Sequence, residues 1–113
     1  DAYKDESDIG AVCVYLEEHS GEPVSLDQLG EVAGLSKYYL LRSFTKQKGI
    51  SPYRYLETIR IAKARKLLER NVPMIEVALQ TGFADQSHFS RFFKRLIGVT
   101  PRQYAEIFGG RQA

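Results

Sequence analysis

A chain of 113 residues suits one small domain or two very small lobes sharing a helix, and its 43% hydrophobic content is that of a folded protein rather than a disordered one. No run of about 18 apolar residues is present to span a membrane, no signal peptide is visible, and the single cysteine, Cys13, makes no intrachain disulfide and has no metal-spaced partners. It reads as a small buried hydrophobe of a cytoplasmic, reducing setting. The net charge of +2 is by itself a weak pointer to nucleic acid.

The pattern predicts seven helices and no strand, an all-α fold. Residues 1–7 are polar and acidic and begin at Asp1 rather than Met, which reads as the remnant of a linker in a longer protein. The first helix, residues 7–19, places Ile9, Val12, Cys13 and Leu16 at i, i+3, i+4, i+7, and Gly21 and Pro23 end it. Ser25 caps the second helix and Gln28 completes a capping box; the helix runs to Ala33, with Gly34 supplying the turn. Gly30 inside that helix costs about 1 kcal/mol relative to Ala, and implies either a softer helix or a closer approach of its neighbour. Ser36 caps the third helix, which stops at Gly49.

Ser51 and Pro52 restart the chain as N-cap and first helical residue. The fourth helix, residues 52–70, is the longest and carries two apolar stripes: Tyr55, Ile59 and Ala62, then Ile61, Ala64, Leu67 and Leu68. A helix that changes its buried face packs against two bodies in succession. Pro73 opens the fifth helix, which ends near Gly82; Asp85 caps the sixth, which stops at Gly98. Thr100, Pro101 and Gln103 repeat the capping device for the seventh, which reaches about Phe108, and residues 109–113 are expected to fray.

Much of this is said twice. Residues 40–55 read Leu40-x-Arg42-x-Phe44, then Gly49-Ile50-Ser51-Pro52 and Tyr55; residues 89–104 read Phe89-x-Arg91-x-Phe93, then Gly98-Val99-Thr100-Pro101 and Tyr104. Each copy follows a short helix and a Gly, which is the helix-turn-helix pattern. The second turn is one residue longer than the first, an insertion that a turn tolerates and a helix interior does not.

In each copy the second helix has two faces. Leu40 and Phe44, with Leu35 before them, are expected inside, as are Phe89, Phe93 and Leu96. Lys37, Tyr38, Leu41, Arg42 and Thr45 fall on the outer face of the first copy, and Gln86, Ser87, Ser90, Arg91 and Lys94 on that of the second. Such sets suit the major groove, where Arg forks onto guanine, Gln onto adenine, and an apolar group such as Leu41 touches a thymine methyl. Charge is distributed to match: residues 1–34 carry nine acids and one base, residues 35–113 fifteen bases and five acids. Arg60, Lys63, Arg65 and Lys66 read as a solvated helix face, and Phe44, Phe89, Phe93, Tyr55 and Tyr104 as core.

With these residues in place, roughly residues 8–106 resemble the DNA-binding domain of AraC/XylS-type bacterial transcription regulators. The segment from Ile75 to Tyr104, including Gly82-Phe83, Ser87-His88-Phe89-Ser90-Arg91-Phe92-Phe93-Lys94 and Gly98-Val99-Thr100-Pro101, is similar to that family's motif nearly throughout; Ser36 to Phe44 with Gly49 and Pro52 matches it too. The family usually has Ala where this chain has Gly30. The resemblance implies two helix-turn-helix subdomains joined by a long helix (subdomains at 8–51 and 72–108, linker helix at 52–71, tail at 109–113). It implies recognition helices at about 36–48 and 85–97 in neighbouring major grooves of an asymmetric double-stranded site. Carried over by position, the base readers are Lys37, Tyr38 and Arg42, then Gln86, Ser87, Ser90 and Arg91. Phosphate anchoring falls to the helix N-termini following Ser25, Pro73 and Thr100, with Lys46, Lys94 and Arg102 as cationic candidates. The resemblance further implies a separate effector-binding or dimerisation domain N-terminal to this chain, contact with RNA polymerase as an activator, and a cytoplasmic, nucleoid-associated location in a bacterium.

Other functions have less in the sequence to stand on. A helical protein-interaction module could use the acidic first third, and a larger repair protein could carry such a unit as an accessory DNA-binding arm. No nucleophile–base pair, carboxylate dyad, phosphate loop or metal cluster is apparent, so neither an enzyme nor a cofactor is expected.

Overall fold

The computed structural model describes the backbone of residues 2–110, and side chains from Ile9 onward. It contains seven helices: α1 (Ala2–Glu18), α2 (Leu26–Ala33), α3 (Lys37–Lys48), α4 (Pro52–Glu69), α5 (Met74–Thr81), α6 (Gln86–Ile97) and α7 (Pro101–Phe108). No strand occurs among the described residues. Helix α1 starts five residues earlier than periodicity predicts.

The expected caps form. Ser25 Oγ accepts from the Gln28 amide while the Gln28 side chain accepts from the Ser25 amide, and Thr100 and Gln103 repeat the box. Ser36 caps α3 through Tyr39, Ser51 caps α4 through Arg54, and Asp85 caps α6 through His88. Pro73 sits at the N-cap of α5 rather than inside it, with no side-chain cap. Gly34, Gly49, Gly82 and Gly98 close their helices in the left-handed region, where a Cβ would be strained.

The chain divides into two compact units, Asp1–Ile59 and Arg60–Ala113, with the boundary inside α4. The first is built on Ile9, Val12, Leu16, Leu29, Ala33, Leu40, Phe44, Leu56 and Ile59. Cys13 and Tyr55 pack at its margin and are only half-buried. Burial, and then a hydrogen bond with Cys13, raise the Tyr55 pKa above its ordinary value. The second unit is built on Ile61, Ala64, Leu68, Val77, Ala78, Phe83, Phe89, Phe92, Phe93 and Tyr104. Its phenylalanines form a chain of ring contacts: Phe83 meets Phe89 and Phe92, Phe89 meets Phe93, and Phe93 meets Tyr104. Aromatic pairs of this kind add about 0.5–1.5 kcal/mol each beyond their area.

Several residues lie where the sequence did not put them. On α4 the first buried stripe is Leu56 and Ile59; Ala62 is exposed, because the helix has by then turned toward the second set, Ile61, Ala64 and Leu68. Arg60 is not part of a solvated face: it is 6% exposed, one turn from both Leu56 and Ala64 on the buried row. On α6, Leu96 is 43% exposed in the last turn although it continues the buried row, and Phe92, one residue after Arg91, is buried with Phe89 and Phe93. Gly109 and Gly110 do not fray. The Gly110 amide donates to the Glu69 carbonyl at 2.8 Å and Asn71 Nδ2 donates to the Gly110 carbonyl at 2.6 Å; residues 111–113 lie outside the described residues. Asn71 holds this position with φ 61°, a left-handed conformation that Asn tolerates better than most residues.

Candidate nucleic-acid interface

Each unit presents the second helix of its helix-turn-helix in the same way. In the first, Leu40 and Phe44 anchor α3 to the core with no exposure, and Ser43 is buried beside them. That fixes the opposite side of the helix: Lys37, Tyr38, Leu41, Arg42, Thr45 and Lys46 are all exposed. In the second, Phe89, Phe92 and Phe93 anchor α6, and Gln86, Ser87, Arg91 and Lys94 are exposed. Ser90 departs from expectation: it is half-buried, being one residue after Phe89 and two before Phe92.

The two faces are ordered differently. Arg42 Nη1 donates to Tyr38 Oη at 3.1 Å, and the guanidinium carbon lies 5.6 Å from the Tyr38 ring centre. The rings of Tyr38 and Tyr39 also meet edge to face. Lys37 Nζ lies 3.6 Å from Asp27 Oδ1, an exposed ion pair in which one candidate reader is already matched with an acid on α2. On α6, among the described residues, nothing gives Arg91 a hydrogen bond, an ion pair or a ring contact, and Ser87 stands where the first unit has Tyr38. His88 packs edge-on against Phe83, which makes it structural rather than a reader. The Tyr38–Arg42 contact was not drawn from the sequence, although their i, i+4 spacing on one helix face carries the signal.

The anion-binding candidates also separate. At α2 and α7 the capping oxygens of Ser25 and Thr100 already accept one first-turn amide each. At α5 no side chain caps the helix, so its first-turn amides face outward without a competing oxygen from the cap residue. Ser25 and Arg102 are exposed and Thr100 is half-buried. Arg65, on α4, is engaged within the second unit: its Nε donates to Tyr104 Oη at 3.1 Å, which raises its pKa, and Tyr104 Oη donates in turn to Glu69. Among the described residues no group of His, Cys, Asp and Glu is placed to hold a metal ion, and no helix is long and apolar enough to cross a membrane.

A family model for a helix-turn-helix domain matches residues 29–107, from the core of α2 to the end of α7. The solved structure of a transcriptional regulator from Chromobacterium violaceum, described as containing an AraC-type DNA-binding domain, superposes with a TM-score of 0.85 at 25% identity, covering 95% of this chain and 96% of that one. The chain belongs to the AraC/XylS family. The DNA-binding domain of AdpA, a global transcriptional factor solved in complex with a target DNA, is similar at a TM-score of 0.84 and 27% identity, over 89% of this chain and 92% of that one. An uncharacterized HTH-type transcriptional regulator of Bacillus subtilis, YbfI, is 60% identical over 81 residues, which is 72% of this chain but 30% of that protein. The chain spans between 13% and 37% of the length of the curated relatives it matches. This AraC/XylS chain is thus a DNA-binding domain of the kind carried by transcription regulators.

Proposed function

We propose that this AraC/XylS domain binds double-stranded DNA sequence-specifically by placing α3 and α6 in adjacent major grooves of an asymmetric site. The observation that carries the reading is the pair of equivalent helices, each pinned by buried aromatic or aliphatic side chains and each turning cationic and polar groups outward. On α3 the base readers are Lys37, Leu41 and Arg42, with Tyr38 beside Arg42 on the same face; on α6 they are Gln86, Ser87 and Arg91, with Ser90 half-buried among them. Ser25, Lys46, Lys94, Thr100 and Arg102 take phosphates, as do the uncapped amides of α5. Helix α4 runs for 18 residues, about 27 Å of helix. Two units repeated within one chain favour a direct, non-palindromic site.

The test is site selection from random duplexes followed by titration across salt. The expected result is one asymmetric motif with two conserved blocks about one helical turn apart, and a log K that falls steeply with log salt because phosphates release counterions. A palindromic motif, or an affinity indifferent to salt, would count against the reading.

We further infer that the domain serves a longer bacterial regulator that works in the cytoplasm at the nucleoid, with an N-terminal effector-binding or dimerisation domain, and that it activates transcription through RNA polymerase. The length of the curated relatives, of which this chain spans about a third, supports the longer regulator, and the similar protein RhaS, described as a transcriptional activator, supports the activating role. Transcription from a promoter carrying the selected site, in vitro with purified polymerase, tests the activating role; repression or no change would refute it.

A further inference from the structure

We propose that Tyr38 is a positioning residue: its ring and hydroxyl hold the Arg42 guanidinium in the attitude in which it reads a base, so that base selection by α3 depends on a side chain other than the reader. The inference rests on the reading of Arg42 as a base-contacting residue.

The geometry points there from several directions. Tyr38 and Arg42 are one turn apart on the same face of α3, and Tyr38 precedes Arg42, the order in which a side chain leaning toward the helix N-terminus reaches its neighbour. The hydrogen bond from Nη1 to Oη and the 5.6 Å placement over the ring act on the same guanidinium. The hydroxyl fixes the direction of its plane and the ring walls off one side. Tyr38 is itself braced: Tyr39 meets its ring edge-on with centres 5.5 Å apart. One N–H directed at Tyr38 still leaves the guanidinium a parallel pair of donors, which is what a guanine edge requires. An exposed arginine otherwise samples many rotamers and must lose them on binding; one already held loses less and tolerates fewer wrong partners.

The second unit supplies an internal control. Its equivalent reader, Arg91, has Ser87 one turn earlier, a side chain too short to reach a guanidinium, and makes no such contact among the described residues. The two readers therefore differ in preorganisation although they share position and chemistry. The expected consequence is sharper discrimination at the base pair read by Arg42 than at the one read by Arg91.

The experiment compares the 113-residue chain with Arg42→Ala and Tyr38→Phe on the selected site and on its single-base variants, with a salt titration for each. Arg42→Ala first identifies the base pair whose preference it flattens; if no base pair responds, it is the reading of Arg42 itself that fails. Given that base pair, Tyr38→Phe keeps the ring and removes the hydroxyl. It is expected to reduce discrimination there by about threefold to tenfold, the size of an ordinary net hydrogen bond, since this one is exposed to solvent. Preference at the base pair read by Arg91, and the salt slope, should stay as they were. Unchanged discrimination at the Arg42 base pair overturns the proposal, as does a loss that maps to a different base pair, since Tyr38 would then be reading a base itself. Tyr38→Gln, whose amide oxygen can accept from Arg42, is expected to restore part of the discrimination that Tyr38→Phe loses.

Discussion

The two helix-turn-helix units make the same bend with different materials, and the turn length explains why. In the first unit three residues separate α2 from α3, and the Leu35 carbonyl comes so close to α2 that a Cβ on Gly30 would lie 2.7 Å from it. In the second, four residues separate α5 from α6, and Ala78 occupies the equivalent position, buried, with the Phe83 amide donating to its carbonyl at 3.2 Å. The unit with the longer turn is the one that carries a methyl at this position. Of the two readings the sequence left open for Gly30, close approach is the one the structure supports. The cores differ in composition: Leu35, Leu40, Ser43 and Phe44 in the first unit correspond by position to Phe83, Phe89, Phe92 and Phe93 in the second. The outer faces differ as well. Asp27 and Glu31 on α2 correspond to Ile75 and Leu79 on α5, and both of the latter are exposed. A shared topology thus constrains the inward phenylalanine and the turn glycine while leaving core volume and outer chemistry to vary.

The sharpest way to break this comparison is to empty each core. Phe93→Ala and Phe44→Ala each remove a ring with no exposure and should cost about 3–5 kcal/mol. Amide exchange should accelerate across α5, α6 and α7 for the first variant and across α1, α2 and α3 for the second; uniform acceleration in both would mean that the two clusters unfold as one. Next in size are the readers. Arg42→Ala and Arg91→Ala should each lose about 1–3 kcal/mol of specific binding and relax preference at one base pair, measured by mobility shift on single-base variants. If either leaves both quantities unchanged, its helix is not a reader.

Gly30→Ala comes third. Crowding the Leu35 carbonyl costs about 1–3 kcal/mol, and the better helix propensity returns about 1 kcal/mol, so a net loss of up to about 2 kcal/mol is expected in urea denaturation. A more stable variant would show that the short turn relaxes freely. The smallest effect belongs to the outer face: Ile75→Asp combined with Leu79→Glu, which copies the first unit onto α5, should change stability by no more than about 0.5 kcal/mol. A large loss on thermal melting would mean that these side chains support the fold despite their exposure.

The helices, their order and most of their caps were legible in the sequence, because those signals are local. A Ser, Thr or Asp before a helix, a Gly after it and a period of 3.6 residues refer only to neighbours along the chain. The outward faces of α3 and α6 were legible for the same reason, once the inward phenylalanines set the phase. What only the tertiary structure decided depends on groups far apart in sequence or on the exact direction of a side chain. Arg60 is buried although the chain around it reads as a charged helix face, Leu96 is exposed in the last turn of α6 although it continues the row of Phe89, Phe92 and Phe93, and Gly110 is held because Asn71 and the Glu69 carbonyl meet it 39 and 41 residues away. Tyr38 and Arg42 stand between the two cases: their spacing was plain from the chain, but the hydrogen bond that gives the spacing meaning is fixed only when the core pins α3 and leaves that face to itself.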